Sequence, residues 1–180
     1  IVGYLMGLFG FNIYSIARPL DNKYISDYLY GVRRRAGQRI IDKKGATGMM
    51  EELASSGATL CFVADQDAGK KGIFVDFFGR PAATAKGAAL FSVRTGAPLF
   101  VGAAKRLPGF PQRYRVSVRR VEIERTGDLE EDVLRLTKAH TEYLEEQVRE
   151  APEQYFWQHR RWKTRPAEPN GGRREGRKNH

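Results

Sequence analysis

Short apolar runs of strand character alternate in this chain with longer stretches whose apolar residues recur at helical spacing. That alternation restricts the fold more than any single residue does. A helix between two strands returns the chain to the same end of a sheet, so the strands run parallel. Residues 1–9 read as the end of a helix stopped near Gly10, and residues 12–17 as a strand broken by Arg18-Pro19. After Asn22, the residues Ile25, Tyr28, Leu29 and Val32 mark an amphipathic helix. Ala46, Met49, Met50 and Leu53 mark a second, closed by Gly57.

Residues 60–64 form a continuous apolar run, as expected of a strand covered on both faces, and residues 73–78 form another short strand. Thr84 reads as the cap of a helix running to Thr95, with Gly96 ending it. Residues 98–104 are strand-like. Tyr114, Val116 and Val118 then alternate with Arg115, Ser117 and Arg119 as a half-buried strand. The phase slips to Val121 and Ile123, which suggests a bulge. A long helix covers 128–150 and stops before Pro152. The expected fold class is α/β, with a largely parallel central sheet flanked by helices. Residues 1–166 make one domain, and 167–180 a basic tail whose composition predicts disorder.

At 180 residues the chain can bury a sizeable core. Its 31 Lys+Arg against 21 Asp+Glu leave a formal charge of +10, which points to an anionic partner: nucleic acid, an anionic membrane or a phosphorylated substrate. The basic residues are scattered and carry no nucleic-acid-binding signature, so a non-catalytic nucleic-acid-binding domain is the weaker alternative. The single cysteine, Cys61, sits in an apolar run and reads as a small buried hydrophobe. Three scattered histidines make no metal site, and no nucleotide loop or cofactor fingerprint is present, so no cofactor is expected. No run is long and apolar enough to cross a bilayer. Opening on Ile1 inside an apolar stretch, the sequence reads as the later part of a longer chain.

Ligands of open α/β sheets bind beyond the carboxyl ends of the strands. Arg18 follows the strand 12–17, and Asp65-Gln66-Asp67 follows the strand 60–64. If these strands are parallel neighbours, Arg18 and Asp65 open onto one edge. A catalytic pair or an ordinary salt bridge at the sheet edge would both fit.

Five pieces in order carry a resemblance: Ala17-Arg18-Pro19-Leu20-Asp21-Asn22; Arg33-x-Arg35-x-Gly37; Asp65-Gln66-Asp67; Val75-x-Phe77-Phe78-Gly79; and the unusual run from Pro152 through Tyr155-Phe156-Trp157-x-His159-Arg160-Arg161-Trp162-Lys163-Thr164-Arg165 to Pro166. In these the chain resembles the late acyltransferases of lipid A biosynthesis, the lauroyl- and myristoyl-transferase family. The resemblance implies acyl transfer from acyl-carrier protein to a hydroxyl of a lipid A precursor, at the cytoplasmic face of the bacterial inner membrane. It implies a glycerophosphate-acyltransferase-like fold. It also places the family's His-x4-Asp/Glu signature just upstream of Ile1, so this stretch alone is expected to be inactive.

Within that frame Arg18 and Asp65 are the expected catalytic residues. A guanidinium suits a developing oxyanion or a substrate phosphate, and a carboxylate can support a histidine or the acceptor. Asp67, Arg33, Arg35, Arg160 and Arg161 are candidate substrate-binding residues. Asp67 competes with Asp65 for the carboxylate role. Arg33 and Arg35 could equally be cations decorating a helix C-terminus. The run His159 to Arg165 interleaves basic residues with Trp162, which suits an anionic membrane surface, nucleic acid, or a structural lock on the sheet. Phe77-Phe78-Gly79 fits a core strand end better than an acyl-chain wall. His140 and Glu145 match His-x4-Glu by letter only. Five residues apart on a helix, they point about 140° away from each other, and His140 shares the stripe of Val133, Leu136 and Tyr143.

Overall fold

A computed structural model describes residues 2–17, 20–41 and 47–167. Arg18, Pro19 and Ala46 lie outside the described residues, as does the expected tail from residue 168 onward.

The first half is the alternating part. Helix α1 (Val2–Leu8) leads into β1 (Ile13–Ile16), α2 (Lys23–Arg35), β2 (Arg39–Ile41), a short α3 (Met50–Ser55) and β3 (Thr59–Cys61). These three strands form a parallel sheet in the order β2-β1-β3. Registers run Tyr14 to Arg39 on one side of β1 and Tyr14 to Leu60 on the other. The Asn22 side chain caps α2 by accepting from the backbone N–H of Tyr24 and Ile25. Gly57, at φ +68, ends α3, and Leu53 on that helix is buried.

The second half departs from the expected single sheet. Strands β4 (Ile73–Phe77) and β5 (Arg80–Thr84) form one antiparallel ribbon, and β6 (Leu99–Leu107) and β7 (Arg113–Val121) another. Tight connections dictate this, since a parallel pair needs a crossover of a dozen residues or so. Only Phe78 and Gly79 join β4 to β5, with φ of +55 and +71, the positive-φ pair that a two-residue hairpin favours. Phe78 is the one described non-glycine residue with positive φ. Its backbone N–H donates to Glu145 (2.6 Å), and its ring meets Phe77 edge-on.

Strand β5 takes in the residue expected to cap a helix. Thr84 ends that strand, and the helix α4 (Gly87–Thr95) starts three residues later. The Ala82-Ala83 pair carries no β-branched signal, yet both are fully buried. The expected bulge in β7 is absent, because the β6–β7 register is unbroken from Leu99–Val121 to Leu107–Arg113. What changes along β7 is the apolar face. Tyr114, Val116 and Val118 face outward and are exposed, whereas Val121 is buried.

The long helix α5 (Leu129–Glu150) begins at its N-cap Asp128, whose carboxylate accepts from Glu131 N–H (2.7 Å). It packs on both ribbons. One core joins Val133 and Leu136 to Ala89 and Val121, and the other joins Val148 to Phe77 and Ala82. Arg119 of β7 lies over the Tyr143 ring and pairs with Glu146 (2.8 Å).

Candidate active site

Strands β1 and β3 are parallel neighbours, Ile13 opposite Thr59 and Ser15 opposite Cys61. Both therefore deliver the residues after them to one rim of the sheet. Position 18 is two residues past the end of β1, and Asp65 is four past the end of β3. The side chain of Arg18 lies outside the described residues. Arg33 and Arg35 end α2, just before β2 begins, so the βαβ crossover puts them toward the opposite rim. Arg33 is half-buried and Arg35 exposed. The topology thus puts Ala17, the last described residue after β1, and the turn that holds Asp65 beyond one rim, away from Arg33 and Arg35.

The two aspartates occupy different environments. Asp67 is fully engaged: one carboxylate oxygen accepts from Gly69 N–H (3.2 Å) and the Thr164 hydroxyl (2.9 Å), the other from Thr164 N–H (3.3 Å). Asp65 is held by its backbone, whose carbonyl accepts from the Tyr155 hydroxyl (2.8 Å). Its Oδ1 is buried and has no hydrogen-bond partner among the described residues. Of the two, Asp65 retains a carboxylate oxygen to offer.

The segment after α5 is what holds this turn. Beyond a single 3₁₀ turn (Pro152–Gln154) it lies against the Asp65–Asp67 turn and the β4–β5 ribbon. The Asp67 N–H donates to His159 Nε2 (2.8 Å), which makes this nitrogen an acceptor and leaves the proton on Nδ1. Arg161 is 1% exposed; its guanidinium donates to Ala83 O (2.8 Å) and Thr84 Oγ1 (2.6 Å) and stacks over Phe77. Arg161 is therefore a core residue, not a surface one, and the run from His159 to Thr164 acts as a structural lock. Arg160, Lys163 and Arg165 remain exposed. Trp162 donates to Phe77 O (3.3 Å) under the Arg80 guanidinium. Tyr155, His159 and Thr164, the residues that shape the Asp65 turn, carried a signal only as part of that unusual run.

Burial pushes the Tyr155 phenol up against the opposing charge of Arg161, so the hydroxyl remains a donor. Burial also holds Arg161 below its usual range. His140 is buried on α5, and desolvation, reinforced by the Arg161 charge, pushes it down to about 4. Its letter-match partner Glu145 is spent on Phe78 N–H and Arg149. Phe77 is fully buried, a core strand end. Cys61 is half-buried, and desolvation raises its thiol. No cluster of metal-binding side chains occurs among the described residues. Nor is any described helix long and apolar enough to cross a membrane.

The family model described as "Bacterial lipid A biosynthesis acyltransferase" matches residues 1–164, which include every candidate site residue. The chain belongs to the lipid A biosynthesis acyltransferase family. It is 31% identical over 154 residues to the lipid A biosynthesis lauroyltransferase of Escherichia coli (strain K12), covering 84% of this chain and 49% of that protein. It is 29% identical over 154 residues to the palmitoleoyltransferase of the same organism, covering 83% of this chain and 47% of that one. A lipid A biosynthesis acyltransferase of Haemophilus influenzae matches at 26% over 161 residues, 86% of this chain and 49% of its own length. The chain spans about half the length of the curated relatives it matches.

Proposed function

We propose that this acyltransferase moves a fatty acyl chain from acyl-carrier protein to a hydroxyl of a lipid A precursor. It would work at the anionic, cytoplasmic face of the inner membrane, on a glycerophosphate-acyltransferase-like domain of which the parallel sheet is part. What supports the site is the parallel pairing of β1 and β3, the strands that precede Arg18 and Asp65 in the sequence, with a buried Asp65 Oδ1 that no described residue engages by a hydrogen bond.

In this reading the acceptor hydroxyl loses its proton to a base as its oxygen attacks the thioester carbonyl. The tetrahedral oxyanion then collapses with expulsion of the carrier thiolate, which takes up the proton. Arg18 stabilises the oxyanion or clamps a substrate phosphate, and Asp65 supports the base or orients the acceptor. Neither described histidine is poised as that base, since His140 is buried mid-helix and His159 Nε2 accepts from Asp67. The base would be the histidine of the His-x4-Asp/Glu motif that the family resemblance implies. Exposed Arg160 remains available for acceptor phosphates, whereas Arg35 lies toward the opposite rim. Another glycolipid acceptor would use the same chemistry.

Acyl transfer by the intact protein, from acyl-carrier protein to a lipid A precursor, tests the proposal. Arg18→Ala and Asp65→Ala should each abolish turnover and leave the fold intact. Wild-type turnover in both variants would place the reaction elsewhere.

A further inference from the structure

Helix α2 has its apolar face turned away from the body of the protein. Successive helical residues step by about 100°, so Tyr24, Ile25, Tyr28, Leu29 and Val32 share an arc of about 140°. A globular helix buries such an arc. Here Tyr24 is 85% exposed, Tyr28 67% and Ile25 52%, and Leu29 is exposed beside them. The buried residue of the helix is the small polar Ser26, whose hydroxyl accepts from Leu20 N–H (3.3 Å). Half-buried Tyr30 and Arg33 accompany it on the inward side.

We propose that this outward face is a lipid-docking surface: α2 lies in the headgroup plane of an anionic bilayer. Ile25, Leu29 and the two tyrosine rings enter the acyl boundary, while Arg34 and Arg35 engage lipid phosphates. The chemistry of the face selects that occupant. Its last turn carries Arg33, Arg34 and Arg35 and its first turn no acid, while its single carboxylate, Asp27, is paired with Lys23 (2.7 Å). Arg35, eleven residues after Tyr24, falls back onto the apolar arc, so cation and tyrosines share one side. Tyrosine above aliphatic, with arginine at the edge, is the composition of an in-plane interfacial helix. The arginine end also continues into a second apolar cluster. Gly7 of α1 packs against the Ala36 backbone, and Leu8, Phe9 and Phe11, around and beyond the end of α1, are exposed. An acidic protein surface would satisfy the arginines but leave this apolar arc without a counterpart.

The inference rests on the membrane reading above and not on the reaction. Intact protein is mixed with vesicles of phosphatidylethanolamine and phosphatidylglycerol, and separately with phosphatidylcholine vesicles. Preferential binding to the anionic vesicles is expected, and Ile25→Asp/Leu29→Asp should weaken it by about tenfold or more with an unchanged circular dichroism spectrum. The Tyr28→Trp variant should show a blue shift and quenching by brominated lipid beyond those of its parent. Wild-type binding by the double aspartate variant would overturn the role of α2 while the membrane reading stands. No binding by the parent would remove both, leaving the acyl-transfer assay unaffected. If the indole added by Tyr28→Trp is shielded from acrylamide before vesicles are added, another segment covers the face, and the inference falls.

Discussion

The backbone N–H of Asp67 donates to Nε2 of His159 at 2.8 Å across 92 residues of sequence. With the Tyr155 hydroxyl on Asp65 O and Thr164 on the Asp67 carboxylate, this bond fixes the turn that presents Asp65. The C-terminal lock and the candidate site are thus one structural unit. His159→Phe removes the acceptor and leaves a partly buried N–H unpaired, which costs about 1–3 kcal/mol. A lower thermal midpoint and reduced acyl transfer should appear together, and His159→Gln should recover part of both.

Arg161 is the part of the lock that no other side chain can replace, since none spans Ala83 O and Thr84 Oγ1 with a planar fork. Arg161→Lys keeps the charge and loses the paired geometry in a buried site. Loss of about 3 kcal/mol of stability is expected, read as a lower urea midpoint at unchanged slope.

Asp65 and Asp67 should separate cleanly. Asp67→Asn disturbs a carboxylate with three donors, so its main effect is on stability, about 1–2 kcal/mol. Asp65→Asn alters a buried oxygen that no described residue engages. Turnover should fall by about 100-fold or more with little change in unfolding. The reverse pattern would assign the functional carboxylate to Asp67.

His140 makes stability depend on pH. Its folded value is pushed down to about 4 from an ordinary 6.5. Below 6.5 the unfolded chain therefore binds a proton that the folded chain refuses. The stability is intact above pH 6.5 and declines as the pH falls toward 4, by about 3 kcal/mol in all. His140→Leu should flatten that part of the pH–stability curve relative to wild type. His140→Gln should leave turnover at neutral pH unchanged.

Much of the architecture was legible in the residues. Asn22 and Asp128 announce their helices because a side-chain acceptor must satisfy the first free N–H groups. The apolar runs at β1 and β3, separated by helices, imply the parallel pair that sets the rim. The β4–β5 and β6–β7 ribbons were less legible. Antiparallel pairing there depends on a two-residue turn through Phe78 and on the alanines of β5, which carry little strand signal of their own.

Periodicity determines how apolar residues are arranged around an element's own axis, and this sequence determined those phases for α2, β7 and α5. It cannot say on which side the rest of the molecule lies. Tertiary packing decided that α5 turns its stripe inward, whereas α2 and the Tyr114–Val118 face of β7 turn theirs outward. The same holds for charge. Arg160 and Arg161 are adjacent letters of one type, yet one meets solvent and the other is sealed against Ala83, because burial is a property of what packs around a residue.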